Sequence, residues 1–343
     1  MRILIIVAGV IGGALLLAVV VPFAIWFGAG LLPQHPQALT ELTIKMDKGA
    51  VPALAARSLF PTVRDGLREP RIGFAAIAPS GDSIDVTLTE GVDREQALSR
   101  LRDLSHRSGA DHVDAERFTI AEADRAVLRL TPTAAVITEA TEHADGQTIE
   151  ILTHRLEGLL VKGSVRRESS DTVVVDLPRR TDTAHLKAVL VAPGKLSIRF
   201  IDTSVSADDA RRGGVPPQSE LLSGSDGAPY LVEKRVAIAG DGLVDAQPGF
   251  DQRTREPVVS FRFNAAGTRQ FARITTEGVG RPMAIVVDGV VLAAPVIREP
   301  IVGGSGQISG GFTVERANDL AVTLRSGALP VPLTVVAEHD IER

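Results

Sequence analysis

The chain contains no cysteine. Disulfide frameworks and thiolate metal sites are therefore excluded, and any part lying outside the cytoplasm must rest on its packed core alone. Aromatic residues are scarce as well, one Trp, one Tyr and 11 Phe making up 4% of 343 residues. Positive charge is not in excess, because 37 Lys and Arg stand against 42 Asp and Glu for a formal net charge of −5. That balance argues against nucleic acid as a partner, which would require a basic stripe able to neutralise several phosphates. Catalytic spacings are missing too. The seven His show no His-Glu-x-x-His or other ligand pattern. There is no Gly-x-Ser-x-Gly elbow, and Gly303-Gly304-Ser305-Gly306 lacks the Lys and following hydroxyl of a phosphate loop. Asp241, Asp245 and Asp251 miss the alternating ligand positions of a calcium loop. The expectation is no enzyme, no metal and no cofactor.

What the chain does have is one long apolar run. Residues 3–32 carry no charge, with Arg2 before them and a polar segment, 33–40, after them. About 20 apolar residues cross a bilayer at 1.5 Å per residue, so this run reads as a membrane span, with Pro22 tolerable as a kink. A cleaved signal peptide is the competing reading, its only cleavage candidate lying near Gly28-Ala29-Gly30. Arg2 keeps the N-terminus cytoplasmic, and Trp26 and Phe27 fall at the outer headgroup zone. The expected location is the inner membrane, crossed once, with the bulk of the chain in the periplasm.

Beyond the span, 44% hydrophobic residues with 32 Gly and 20 Pro describe folded, multidomain material. In a first block, 37–131, Ile84, Val86 and Leu88 alternate as a strand, residues 53–67 have helical rhythm, and Asp93 to Gln96 form a capping box. A second block, 132–202, starts a helix at Thr131-Pro132 that carries Ile149, Leu152 and Leu156, with Asp145-Gly146 as its weak point. Strands with Val173, Val175 and Leu177 and then Leu196, Ile198 and Phe200 follow, separated by a helix capped by Asp182. Helix, hairpin, helix, strand is the order of a ferredoxin-like α+β sandwich. Residues 203–229, rich in Ser, Asp, Gly and Pro, read as a linker. A third block, 230–338, shows a strand with Val259, Phe261 and Phe263, a helix capped by Asn264, and an Asp288-Gly289 hairpin. It closes on a helix capped by Thr313, leaving 339–343 as a tail.

Residues 280–313, GRPMAIVVDGVVLAAPVIREPIVGGSGQISGGFT, run on through ANDLA at 317–321 to LRSGALPVPL at 324–333. This stretch resembles the SecD family, the accessory subunits of the Sec translocase, in the head of their first periplasmic domain. LVEKRV at 231–236 and LVDAQPGFD at 243–251 belong to the same pattern, while QTIEILTHRL at 147–156 and LSIRFID at 196–202 are similar to the base of that domain. Two departures stand out. The family's Asp-Leu-Gln-Gly-Gly motif is replaced by PQHPQALT at 33–40, and no second apolar run follows before Arg343, where the family has five further spans. The expected form is thus a truncated paralogue that drives no proton-coupled pulling by itself.

The resemblance implies an α+β fold with a single N-terminal transmembrane helix, ferredoxin-like base subdomains and a SecD-type head. It implies non-catalytic binding of unfolded preprotein, with the SecYEG channel and SecF-like or SecD-like membrane subunits as partners. A membrane-tethered envelope scaffold built on the same head is the alternative. Substrate-binding candidates are Val286, Asp288, Ala294, Pro295, Ile297 and Phe312, with ordinary core and turn roles as the competing reading. Residues 203–229 are the candidate hinge.

Overall fold

The computed structural model describes residues 38–68, 72–106, 116–179 and 181–342. The expected membrane span at 3–32 lies outside them. Among the described residues no helix is long and apolar enough to cross a membrane. In chain order the elements are β1 (Ala38–Met46), α1 (Val51–Arg68), β2 (Phe74–Ser80), β3 (Ser83–Leu88), α2 (Arg94–Ser105), β4 (Phe118–Asp124), β5 (Val127–Pro132) and α3 (Ala134–Gly158). Then come β6 (Ser164–Arg167), β7 (Thr172–Pro178), α4 (Thr183–Val191), β8 (Leu196–Phe200), α5 (Ala207–Gly213), β9 (Ser219–Ser223), β10 (Pro229–Glu233) and β11 (Ile238–Ala239). The last are β12 (Leu243–Phe250), β13 (Pro257–Phe263), α6 (Ala265–Glu277), β14 (Met283–Val287), β15 (Val290–Ala293), β16 (Ser305–Ile308), α7 (Val314–Ser326) and β17 (Leu333–Glu342).

Local chemistry sets most helix starts. Asp93, Asp182, Asn264 and Thr313 are N-caps whose side chains accept from first-turn backbone N–H groups, satisfying donors the helix leaves free. Helix α3 begins later than expected. Its N-cap is Thr133, while Thr131 and Pro132 end β5 opposite Thr119 and Phe118. The fixed φ of Pro suits a strand end as well as a first helical turn, and the Thr133 hydroxyl donates to the Glu116 carbonyl at 2.8 Å. Nor does α3 break at Gly146. It runs unbroken for 25 residues, with Asp145 buried at 2% exposure between Lys48 and Arg167.

The sheets cut across the sequence blocks. The base sheet has the order β17-β1-β7-β6, all antiparallel, so its outermost pairing joins the two ends of the described chain, Ala38 opposite Glu342. Leu42, Ile44, Val173, Val175 and Leu177 of one face pack on Ile151, Leu152 and Leu156 of α3 and Leu186 and Leu190 of α4. Each such side chain contributes roughly 1.5–3 kcal/mol by leaving water. With α3 and α4 the four strands form a βαββαβ unit. The first and fourth strands come from outside 132–202, however, and β8 has left for the head. Residues 339–342 are strand rather than tail.

Two further bodies are inserted into this base. Strands β2-β3-β5-β4 lie in the chain between α1 and α3 and form one sheet. It packs Ile84, Val86, Leu128 and Leu130 against Leu59 and Val63 of α1 and Leu101 and Leu104 of α2. The head lies in the chain between α4 and β17. It combines sheet β11-β8-β14-β15, sheet β12-β13-β16 and helices α6 and α7. Phe261, Phe263 and Phe271 meet edge to face, with centroids 5.3 to 6.2 Å apart, at the centre of its core. The expected linker 203–229 is largely built. It holds α5 and β9, its Ser219 hydroxyl donates to Asp202 at 2.5 Å, and it joins β8 to β10 within the head.

Candidate functional site

Sheet β11-β8-β14-β15 has two used faces. Leu196, Ile198, Met283, Ile285 and Val287 point into the main head core, whereas Ala284, Val286 and Val291 form a small second cluster with Val232 of β10. Period-2 alternation sends neighbours along each strand to opposite sides. On the second face Val286 stands opposite Ser197 of β8. These two, with Arg199, line a cleft of about 950 Å³ whose far wall includes Arg57 of α1 and Gln147 of α3. Strand β11, an edge of the sheet, brings Ala239 to its rim.

The cleft is chemically mixed. Leu196, Val236 and Leu243 supply apolar surface, and Lys195 and Asp241 supply charge. Arg199 is ion-paired with Glu220, and its Nε donates to the Ser197 hydroxyl at 3.3 Å. An apolar floor, an open strand edge and scattered polar groups suit an extended polypeptide of no fixed sequence, where main-chain bonds carry affinity. The cavity beside Phe200 and Arg273 is much smaller, about 190 Å³, and there Arg281 stacks on the Phe200 ring at 4.0 Å and pairs with Glu233 at 2.5 Å. Among the described residues no three His, Asp or Glu side chains gather as a metal site.

The six candidates from the sequence do not form one surface. Val286 and Asp288 border the cleft, although the Val286 side chain is itself packed in the second cluster at 2% exposure. Ile297 and Phe312, at 3% and 6% exposure, are part of the main head core, because α7 and the segment after β15 close over the phenylalanines. Their side chains are packed within that core. Ala294 is half-buried against the second cluster, and Pro295 is exposed.

Asp288 has a structural task in addition. With Gly289 it makes the hairpin turn at φ values of 52° and 80°, the left-handed geometry of a two-residue turn. Its carboxylate accepts from the backbone N–H of Lys195 at 2.7 Å and of Gly194 at 3.1 Å. Those amides belong to the segment linking α4 to β8, so a head turn grips the chain as it leaves the base.

Arg155, on α3, is not among the residues that the sequence singled out. It is fully buried. Burial pulls its guanidinium down to about 10, an effect that the field of Asp288 opposes. The signal was legible in outline, since Thr148, Ile151, Leu152 and Arg155 share one helical stripe and three of the four are plainly core residues. What an arginine does there depends on which carbonyls surround it, and only the packed structure supplies them.

Residues 218–331 match the family described as the P1 head subdomain of SecDF. The protein translocase subunit SecD of Rickettsia bellii is 33% identical over 285 residues, covering 83% of this chain and 53% of that protein. SecD of Acetobacter pasteurianus is 34% identical over 289 residues, covering 83% of this chain and 54% of its own length. The chain thus spans about half the length of the curated relatives it matches. A solved structure described as "Structure and function of a membrane component SecDF that enhances protein export" is 28% identical, covers 57% of this chain and 92% of its own, and superposes with a TM-score of 0.47. Residues 218–331 thus match the SecDF P1 head family, and the chain that carries them is similar to the protein translocase subunit SecD over 83% of its length.

Proposed function

We propose that this chain serves Sec-dependent protein export as a SecD-like periplasmic binding module held at the inner membrane, and that the cleft between base and head takes unfolded preprotein without catalysis. The observation that carries this reading is the relationship to SecD over 83% of the chain. The cleft supports it physically. Its volume of about 950 Å³ accommodates several residues of extended chain at about 3.3 Å each, and its mixed lining imposes no single sequence. The SecYEG channel and SecF-like or SecD-like subunits are the expected neighbours.

Site-specific photo-crosslinking in cells tests this, with probes at Ser197 and Asp241 in the cleft and a control probe at Arg253. Adducts from the cleft positions with many nascent secretory proteins and with channel subunits support the proposal. One recurrent envelope protein in place of them, with no translocon band, overturns it in favour of a scaffold built on the same head.

A further inference from the structure

We infer that Arg155 is the positioning residue that sets the orientation of the head over the base. The chain passes between the two bodies twice, outward at 192–195 after α4 and back at 327–332 after α7. The crossings are bonded to each other, Leu329 N–H donating to the Pro193 carbonyl at 2.8 Å. Arg155 reaches both from α3. Its Nη1 donates to the carbonyls of Val189 at 2.9 Å, Leu190 at 2.7 Å and Ala192 at 2.6 Å. Its Nε donates to the Ser326 hydroxyl at 3.1 Å and its Nη2 to the Gly327 carbonyl at 3.3 Å. All these acceptors lie at the C-terminal ends of α4 and α7, where carbonyls lack helical partners and the dipoles present negative poles. One buried cation therefore joins the last turn of a base helix to the last turn of a head helix.

The surroundings fit that task. Gly194 adopts φ 71°, and a Cβ there would lie 3.2 Å from Arg155 Nη2 and 3.2 Å from the Gly327 carbonyl, so glycine lets the outward crossing lie against the guanidinium. From the head side Asp288 holds the amides of Gly194 and Lys195. The outward crossing is gripped from both bodies. Residues 193–196 and 328 also line the cleft, so the pin that orients the head also sets the cleft's width. That consequence rests on the cleft reading above, but the positioning role itself does not. Lysine is a poor substitute for the fork, because its three donors leave one nitrogen and cannot match five acceptors that Arg155 reaches from Nε, Nη1 and Nη2.

The absence of cysteine makes the test clean. Glu168→Cys in the turn after β6 and Arg253→Cys in the turn after β12, both exposed, take spin labels on the full chain, and pulsed dipolar spectroscopy reads the distance between them. The parent gives one narrow distance. Arg155→Met loses that peak, and Arg155→Lys, which keeps the buried charge and is the second variant should the Met chain fail to fold, broadens it while amide protection within each body stays at the parent's level. An Arg155→Lys chain with parental protection and a parental distance distribution overturns the inference. Polypeptide binding is measured on the same chains by anisotropy. A lost peak in a chain that never bound polypeptide removes the cleft reading and leaves the positioning role standing, whereas an unchanged peak with binding intact does the reverse.

Discussion

His185 of α4 and Asp319 of α7 meet across the base–head boundary, Nε2 to Oδ2 at 2.7 Å. Glu315, one turn earlier on α7, lies 3.7 Å from the same nitrogen, and Asp182, the N-cap of α4, adds a third negative charge nearby. The hydrogen bond to Asp319, chiefly, raises the imidazole above its ordinary value. A group whose folded value is raised contributes stability that is fully present below the unfolded value, about 6.5, and is lost as pH rises through the folded value. The stability of the parent to urea is therefore expected to fall, as pH rises above about 6.5, by more than that of His185→Gln. The contribution is small because the imidazole is partly exposed and screened. Parallel pH slopes in the two proteins would remove this pair from any account of base–head coupling.

Asp288 was singled out for contact with substrate, yet its carboxylate already accepts two backbone amides of the outward crossing. Asp288→Ala leaves those donors unsatisfied and places a Cβ residue without local hydrogen bonding at positive φ, a loss of about 1–3 kcal/mol. Asp288→Asn keeps one acceptor and tolerates the turn, so its loss is the smaller. Denaturant midpoints at unchanged slope measure both. Equal losses for Asn and Ala would show that the amide grip is not what Asp288 supplies.

Ile297→Ala and Phe312→Ala decide between packing and recognition at those positions. As members of the head core they are expected to cost about 2–5 and 3–5 kcal/mol of stability. Surface contacts with a passing chain would instead leave the unfolding curve where it was, and that result would contradict the burial described above.

Ser197→Trp tests the cleft directly. The serine is half-buried on the floor opposite Val286, so an indole fills space without displacing core side chains. Anisotropy with a labelled unfolded secretory protein is expected to show about tenfold weaker binding, equivalent to about 1.4 kcal/mol, at unchanged thermal stability. Undiminished affinity in a folded Ser197→Trp protein would place the binding surface elsewhere on the head.

Single residues with local consequences were legible in the sequence. Asp93, Asp182, Asn264 and Thr313 cap helices, Asp288-Gly289 turns a hairpin, and the alternation at Val173, Val175 and Leu177 marks a strand, because caps, turns and period 2 act within a few residues. The SecD resemblance was legible too, in the run from Gly280 to Thr313. Tertiary structure decided which strands share a sheet. Residues 333–342 pair with β1 some 300 positions away, at Ala38 opposite Glu342, because backbone hydrogen bonding is indifferent to sequence separation and only packing selects the partner. It also moved Ile297 and Phe312 into the core, converted the expected hinge at 203–229 into α5 and β9, and placed the true crossings at 192–195 and 327–332. Arg155 shows why sequence stops short there. A buried charge takes its meaning from the carbonyls around it, and those come from the ends of two helices, α4 and α7, that meet α3 only in the folded chain.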